Sequence, residues 1–436
     1  MKFTAEHEAL RKTVRDFVEK EINPHCDEWE EAGEFPIHDL FKKLGNLGLL
    51  GIQKPEEYGG MGLGHVAMAA VSAEAARARF GPFALNAQAP DEGNMHTLLH
   101  WATDAQKEKY LRPLCEGTTW SCFAMTEPEV AGSDPTLIQT SAYPDGDEWV
   151  INGHKWFISN AHRAKFAILM CRTEENPEIP QAANTAFLVD IPSDGWIEVR
   201  QIETMHGSTG HSEILIEDLR LHDDQMLGGR GQGHLLGQYR LGPARLAHCM
   251  RWIAQAETAL DMMVERSLNR FSHGSLLAEK QGIQWMIADM ATELHAARSM
   301  VYATAAVNDA GGNIRTQAPM CKLFVSETAF RIADRAVQIH GGAGLLRGNP
   351  VEGIFRATRM MRILTGTSEI QRNTIARYDS RAAAACPARS RPTAARAIVT
   401  AEPVAGSIPG GTTVSAHPPA LVHVRSNVAS PMVGSA

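Results

Sequence analysis

The chain has no surplus of positive charge. Its 42 Lys and Arg are outnumbered by 50 Asp and Glu, for a formal net charge of −8. Phosphate backbones demand a basic surface, so nucleic acid is excluded as the main partner. Cysteine is sparse. The seven thiols, Cys26, Cys115, Cys122, Cys171, Cys249, Cys321 and Cys386, include no CxxC pair. A disulfide scaffold or zinc ribbon is therefore not expected, and reduced, mostly buried thiols are. There is no HExxH and no clustering of His with carboxylates, so no metal is expected. Nor does any apolar run reach membrane-spanning length. The N-terminal MKFTAEHEALRK is charged and amphipathic, unlike a secretory signal. A cytoplasmic enzyme without a membrane anchor is the expectation. One glycine run, Gly228-Gly229-Arg230-Gly231-Gln232-Gly233, has the composition of a dinucleotide loop. It stands at the exit of an antiparallel region, not after an early βαβ strand, so a nicotinamide fold is discounted.

What the chain does contain is room and periodicity. Its 436 residues allow two or three domains with sizeable cores. Leu10, Val14, Phe17, Val18 and Ile22 form one helical face, which Pro24 is expected to end. A second helix follows Pro36 with Leu40, Phe41, Leu44, Leu47 and Leu50. After a glycine-rich turn at residues 58–64, helices are expected over 66–79 and 105–114. From Trp120 the texture changes to short strands. Trp149-Val150-Ile151, Asn152-Gly153 and Trp156-Phe157-Ile158 read as a hairpin turning on Asn-Gly. Residues 166–171, 186–189, 197–199 and 214–216 read as further strands of a compact antiparallel domain. Long helices follow over 244–268, 276–309 and 318–339, with a last one from Ser368 to about Arg381. The fold class is α+β and mostly α. It comprises an N-terminal helical domain (1–118), a middle β-barrel-like domain (119–226) and a C-terminal four-helix-bundle domain (227–382). Residues 383–436, rich in Ala, Pro, Ser, Gly, Thr and Val without periodicity, are expected to be disordered.

Four motifs carry the chemistry. They are Phe123-Ala124-Met125-Thr126-Glu127-Pro128-Glu129-Val130-Ala131-Gly132-Ser133-Asp134, Lys155-Trp156-Phe157-Ile158-Ser159-Asn160, Gln338-Ile339-His340-Gly341-Gly342-Ala343-Gly344 and Thr365-Gly366-Thr367-Ser368-Glu369-Ile370-Gln371-Arg372. Alone, each is explained by caps and turns. In this order and on these textures, they resemble the acyl-CoA dehydrogenase family over residues 1–381. The runs Gln88-Ala89-Pro90-Asp91-Glu92-Gly93-Asn94-Met95 and Arg240-Leu241-Gly242-Pro243-Ala244-Arg245, with His248-Cys249-Met250, are similar to the branch whose human members are fused to a kinase-like domain.

The resemblance implies FAD as cofactor, an acyl-CoA or related thioester as substrate, and a role in fatty acid and lipid metabolism. It also implies an acceptor such as electron-transfer flavoprotein, and a homodimer or homotetramer in which FAD bridges subunits. It places Phe123, Met125, Thr126, Phe157 and Ser159 at the flavin ring, with Ser159 near N5. Ser133 falls near the pyrophosphate and thioester arm. Arg270 matches the cation over the pyrophosphate, a task suited to a forked guanidinium. Gln281 falls beside the adenosine, and His273 stands where the family has Phe. Gln338, Gly341 and Gly342 approach the diphosphate, and Thr367 and Glu369 close over the AMP end. Ser133, Arg245 and Thr365 fall on the substrate side.

The family removes the substrate α-proton with a carboxylate while the β-hydride passes to flavin N5. The two positions that carry this base in the family are here Thr365 and Ala244. A threonine hydroxyl is not a carboxylate, and losing a general base costs on the order of 10²–10⁴ in rate. The backbone N–H of residue 365, which in the family polarises the thioester carbonyl, survives the change. Three readings compete. One is an acyl-CoA dehydrogenase whose base comes from elsewhere, such as Glu92 or Asp91. Another is a flavin-dependent reductase or monooxygenase on the same scaffold. The last is an FAD-binding protein with little turnover.

Overall fold

A computed structural model of the chain describes residues 3–32, 36–86, 89–205 and 207–379. Helix formation starts where a cap is available. The Thr4 side chain accepts from the His7 N–H and opens α1 (Ala5–Phe17), whose buried face holds Leu10 and Val14. Pro24 does not end the helical path. The chain runs through a wide turn at Val18–Ile22 and a tight turn at Asn23–His25 into α2 (Cys26–Ala32). Proline is tolerated there because the first residues of a helical turn have no carbonyl partner for an N–H. Then come α3 (Ile37–Asn46), α4 (His65–Ala75), α5 (Gly81–Ala84), α6 (Asp91–Trp101), α7 (Asp104–Gln106) and α8 (Arg112–Glu116). The loop before α4 folds tightly on itself: a Cβ on Gly60 would lie 2.1 Å from the Lys54 carbonyl oxygen. Helix α4 is buried nearly all round from Val66 to Ser72, so it is apolar without being amphipathic.

The middle region has eight strands: β1 (Ser121–Ala124), β2 (Ser141–Asp145), β3 (Glu148–Ser159), β4 (Phe166–Arg172), β5 (Asn184–Asp190), β6 (Trp196–Thr204), β7 (Gly207–His222) and β8 (Met226–Leu227). Their order is β6-β7-β3-β2-β4-β5-β8, with β1 beside β4. Two expectations are corrected. The sheet is mixed, not antiparallel: β1 runs parallel to β4, and β2 meets β4 in parallel at Ser141 and Arg172. The long excursion through β2 and β3 separates β1 from β4, and parallel neighbours need such a crossover. The hairpin also turns elsewhere. Asp145 pairs with Glu148 around Gly146, and β3 passes unbroken through Asn152-Gly153. There it bulges instead. Asn152 exchanges hydrogen bonds with Asp218 on β7, and a Cβ on Gly153 would lie 2.3 Å from the Thr140 hydroxyl.

The C-terminal region holds α9 (Gly233–Asn269), the two-residue strands β9 (Phe271–Ser272) and β10 (Ser275–Leu276), α10 (Gln281–Asp309), α11 (Gln317–His340), α12 (Pro350–Met361) and α13 (Ser368–Tyr378). Helix α9 begins 11 residues before the expected start at Ala244. Gly237, Gly242 and Pro243 weaken the local helical signal, but packing of α9 on α4, α10 and α11 overrides it. Leu246, Met250, Trp252 and Ile253 of α9 meet Met290 and Leu294 of α10 and Ile332 of α11 in one core. Val66 and Ala69 of α4 join it. The shorter α12 and α13 pack on α11. The expected disordered tail, 383–436, lies outside the described residues.

Candidate active site

Strand β1 and its continuation form one wall, anchored from below. Asp91, at the start of α6, accepts from the Ser121 N–H at 2.9 Å and from the Ser121 hydroxyl. Asn94 donates to that hydroxyl at 2.8 Å and to the Cys122 carbonyl. Burial pushes the Asp91 carboxyl up to about 6, against the pull of these bonds and of Arg240. Phe123 follows on β1, and the Arg240 guanidinium lies over its ring at 4.4 Å. Arg240 also donates to the Asn94 side chain and the Pro90 carbonyl. It crosses α6 at Gly93, where a Cβ would come within 2.8 Å of the guanidinium.

Beyond β1, a buried ion pair ties the segment down. Lys155 Nζ lies 2.8 Å from Glu127 and donates to the Met125 carbonyl at 3.1 Å. Glu127 accepts from the N–H groups of Gln139 and Thr140 and from the Thr140 hydroxyl. Lys155 and these donors hold the Glu127 carboxyl below its ordinary range despite burial. Thr126 is fixed to β3 twice: the Trp156 N–H donates to its carbonyl, and its hydroxyl donates to the Trp156 carbonyl at 2.6 Å. The Thr126 hydroxyl proton is thus already engaged, so toward a cofactor its oxygen serves as an acceptor.

Strand β3 ends in an irregularity. Its register against β7 shifts between Lys155 and Ile158, and Phe157 has φ +52°. Bulges re-aim side chains, and a bulky residue at positive φ needs a surrounding structure that holds it. Phe157 is 43% exposed, an aromatic face turned outward beside a well-packed sheet. Ser159 stands opposite His211 of β7, with its hydroxyl 2.9 Å from Nδ1. Met125, Met170, His234 and Gln238 line a groove between this sheet and α9. Ser133 is exposed, on the turn before Pro135 at the groove's edge.

The loop at residues 365–366 is held from two helices. Arg245 of α9 donates to the Thr365 carbonyl at 3.3 Å, and Gln371 of α13 donates to the carbonyls of Thr365 and Gly366. Both loop residues have positive φ, +54° and +91°. The Thr365 hydroxyl is buried without a hydrogen-bond partner among the described residues. Ala244, beside Arg245, is buried and brings no acid. Burial lowers the Arg245 guanidinium to about 10, still a cation at neutral pH. Of the carboxylates considered as stand-ins, Asp91 is hydrogen-bonded to Ser121, and Glu92 keeps a buried oxygen with no hydrogen-bond partner among the described residues. Glu92 lines an internal cavity with Leu50, Ile52, Lys54 and Met68 of the N-terminal region.

The remaining candidates lie at helix ends and turns, exposed apart from the half-buried Thr367. Arg270 caps α9, His273 sits at φ +50° in the β9–β10 turn, and Gln281 opens α10. The Arg270 carbonyl accepts from Leu277 N–H, bringing the two helix ends together. Gln338, Gly341 and Gly342 lie at the end of α11, and a Cβ on either glycine would meet open space. Thr367 caps α13 by accepting from the Ile370 N–H, and Glu369 follows it, exposed. Among the described residues no hydrogen bond joins Arg270, His273, Gln281 or Gln338 to the residues around Phe157. Sequence reasoning missed Asn94, Arg240, His211 and Gln371 as supports. Arg240 reaches Asn94 and Pro90 across about 150 residues of chain and His211 meets Ser159 across strands, pairings no local pattern encodes, whereas Gln371 reaches back only five or six residues to the loop before its own helix.

Family models match in three consecutive blocks: the acyl-CoA dehydrogenase N-terminal domain over residues 4–118, the middle domain over 122–221 and the C-terminal domain over 231–378. The chain belongs to the acyl-CoA dehydrogenase family. It is 34% identical to the 3-(aryl)acrylate reductase of Clostridium sporogenes over 86% of this chain and 99% of that one. It is 36% identical to acyl-CoA dehydrogenase family member 11 of Gallus gallus, over 71% of this chain but 41% of the longer relative. The solved butyryl-CoA dehydrogenase of Megasphaera elsdenii aligns with a TM-score of 0.78 at 29% identity, covering 86% and 98% of the two chains. The family sets the reaction type, oxidation or reduction at a CH–CH group, and the cofactor, FAD. No helix among the described residues is long and apolar enough to cross a membrane.

Proposed function

We propose that the chain catalyses α,β-dehydrogenation of an acyl-CoA thioester, and that it does so without a carboxylate at either customary base position. The observation that carries this reading is the Thr365–Gly366 loop. It is tethered by Arg245 and Gln371, yet presents a buried hydroxyl, unpaired among the described residues, where the family resemblance puts an acid. Tethering fixes the Thr365 N–H, which polarises the thioester carbonyl and stabilises the charge that develops on it. Ser133 and Arg245 complete the substrate side.

The side chains fit FAD. An outward aromatic face at Phe157, with hydroxyls at Thr126 and Ser159 on either side of Trp156 and Phe157, suits a flat polar-edged ring. Phe123 and Met125 continue that wall. Bound there, FAD supplies the hydride acceptor. Arg270, with no acid paired to it among the described residues, suits a pyrophosphate, and the open Gly341-Gly342 backbone admits a diphosphate. Gln281 and His273 border the adenosine, Gln338 the diphosphate, and Thr367 and Glu369 the AMP end. These outer residues are flanked by the exposed Leu268, Phe271, Trp285, Leu345 and Ile363. So much apolar surface supports a homodimer or homotetramer in which a neighbouring subunit completes the cofactor site. Reduced FAD must be reoxidised, which calls for an acceptor such as an electron-transfer flavoprotein. The domain division at 118, 226 and 382, placement in the kinase-fused branch, a cytoplasmic location and a part in lipid metabolism complete the proposal. The similarity to acyl-CoA dehydrogenase family member 11 supports the branch.

A second reading, reduction of an activated alkene, is favoured by the empty base positions together with the likeness to an acrylate reductase. The two are separated by mixing the yellow protein anaerobically with saturated and α,β-unsaturated acyl-CoAs. Bleaching by saturated thioesters supports dehydrogenation. Bleaching by external donors alone, followed by turnover of the unsaturated thioester, refutes it. Absence of reduction by any donor leaves a binding protein. Thr365→Glu places a carboxylate on the tethered loop and is expected to raise α-proton exchange of a bound acyl-CoA by about 10²-fold or more. Unchanged exchange with FAD retained would falsify the claim that residue 365 faces the substrate.

A further inference from the structure

We propose that His211 is a positioning residue for the flavin: it sets the direction of the Ser159 hydroxyl hydrogen bond and thereby the balance between oxidised and reduced FAD. The inference rests on the reading that Ser159 faces the flavin N5 edge.

His211 and Ser159 are a direct cross-strand pair of β7 and β3, just past the bulge that turns Phe157 outward. The Ser159 hydroxyl lies 2.9 Å from His211 Nδ1. The same imidazole packs against Phe157, ring centres 5.9 Å apart at 57°. One side chain therefore stands behind both ring-facing residues of β3. Among the described residues no acid is hydrogen-bonded or ion-paired to it. The titratable group beside it is His162 of the turn after β3, which meets its strand at Gly210 and accepts from Arg163. Burial keeps the His211 imidazole below its ordinary value, so it is neutral at pH 7.

A neutral imidazole nitrogen either donates or accepts. If Nδ1 carries the proton, it donates to the Ser159 oxygen, and the hydroxyl hydrogen is free to point at an acceptor. If Nδ1 is bare, it accepts that hydrogen, and the Ser159 oxygen offers lone pairs to a donor. The flavin N5 edge requires these two arrangements in turn. Oxidised N5 is an acceptor, and reduced N5 carries a hydrogen. Nε2 makes no hydrogen bond among the described residues, so neither tautomer is locked by a second partner. The Ser159–His211 pair thus matches both oxidation states by moving one proton between ring nitrogens. Thr126 lacks this freedom, because its hydroxyl is committed to the Trp156 carbonyl.

The test measures the midpoint potential of bound FAD in the full chain by anaerobic dye equilibration. Variants are His211→Asn, His211→Gln, Ser159→Ala and Ser159→Ala/His211→Gln. Asparagine returns a donor and an acceptor near Nδ1, whereas glutamine places its amide near Nε2. His211→Gln is expected to change the oxidised-to-reduced equilibrium by up to about tenfold, the effect of one hydrogen bond, or about 30 mV for a two-electron couple. His211→Asn is expected to restore most of it, and in the Ser159→Ala background His211→Gln should add nothing. A wild-type potential in His211→Gln, or an equal shift without Ser159, overturns the proposal. If Ser159→Ala itself leaves the potential unmoved, the placement of Ser159 at N5 fails, and the proposal fails with it. If Ser159→Ala shifts it and His211→Gln does not, the role of His211 alone fails.

Discussion

Replacing Glu127 with Gln tests whether the wall beside Phe123 is held by charge. The Lys155 ammonium is fully buried, with Glu127 at 2.8 Å as its ionic partner and the Met125 carbonyl as its second acceptor. In Glu127→Gln the ammonium loses its counter-charge but not its burial. Breaking a buried pair from one side costs about 3–5 kcal/mol. The lysine can escape part of that by releasing its proton. Discharging an ordinary lysine at pH 7 costs about 4–5 kcal/mol, at 1.36 kcal/mol per pH unit, which caps the penalty. Gln also has one oxygen where Glu has two, so one of the Gln139 and Thr140 N–H groups loses its acceptor, for roughly 1–2 kcal/mol more. The double variant Glu127→Gln/Lys155→Met keeps only the second loss. Urea midpoints of the FAD-saturated protein at pH 7 should fall most for Glu127→Gln and recover by at least half in the double variant. Because Lys155 also holds Met125, Glu127→Gln should weaken FAD binding before it unfolds the chain. A double variant no more stable than Glu127→Gln would show that the pair contributes shape alone, and the electrostatic account would be wrong.

Other consequences follow from neighbouring groups. The raised Asp91 carboxyl, at about 6, favours the folded state below its unfolded value near 3.8, and that advantage is lost as pH rises through 6. The stability of Asp91→Asn relative to wild type should therefore increase by about 2 kcal/mol between pH 4.5 and 7.5, measured by urea titration at each pH. Equal pH profiles would rule this out. The Glu127 carboxyl has the opposite sign: its contribution is present above the unfolded value near 4.5 and disappears as pH falls through its lower folded value. Gly93→Ala should push Arg240 off Asn94 and Pro90 and destabilise the chain by about 1–3 kcal/mol. That loss should vanish in an Arg240→Ala background. Six thiols are buried, and burial pushes Cys115 and Cys171 up to about 12. They should stay silent to a disulfide reagent until denaturant is added. Rapid reaction of any of them in the native protein counts against this packing.

The long helices α10 and α11 were legible because their apolar spacing is local, and they begin and end within a few residues of the expected limits apart from the β9–β10 turn, whereas α6 and α12 were not expected as helices. The strands were legible as segments but not as a sheet. Nothing in residues 121–124 says that they pair in parallel with residues 166–169, since that partner is reached only after β2 and β3. Asn152-Gly153 misled for a related reason. Gly there serves a close approach to Thr140, a contact made by tertiary packing and indistinguishable in sequence from a turn. In the candidate site, Phe157, Ser159 and Thr365 stand out through motif resemblance alone. Arg240 and His211 do not, because they act through contacts whose partners are far away in the chain or on another strand; Gln371 is local to the loop it holds, but only the folded turn shows its amide reaching the carbonyls.

The contacts of the 365–366 loop bear on the proposed dehydrogenation without a carboxylate at residue 365. In a site where the acid itself held the loop, a neutral residue at 365 would leave the loop free. Here the loop's carbonyls are gripped by Arg245 and Gln371, and its positive-φ pair is closed by Gly366, so no side-chain oxygen at 365 is needed. On the proposed reading, the loop that would orient the thioester is thus held independently of the group that takes the proton. Substitution at 365 then changes chemistry while leaving geometry intact. This is why Thr365→Glu should restore proton exchange without new supports, and why Gln371→Leu should lower thioester affinity whether residue 365 is Thr or Glu. If Gln371→Leu instead weakened binding only in the Thr365→Glu protein, the grip would depend on the acid, and the independence argued from these hydrogen bonds would be refuted.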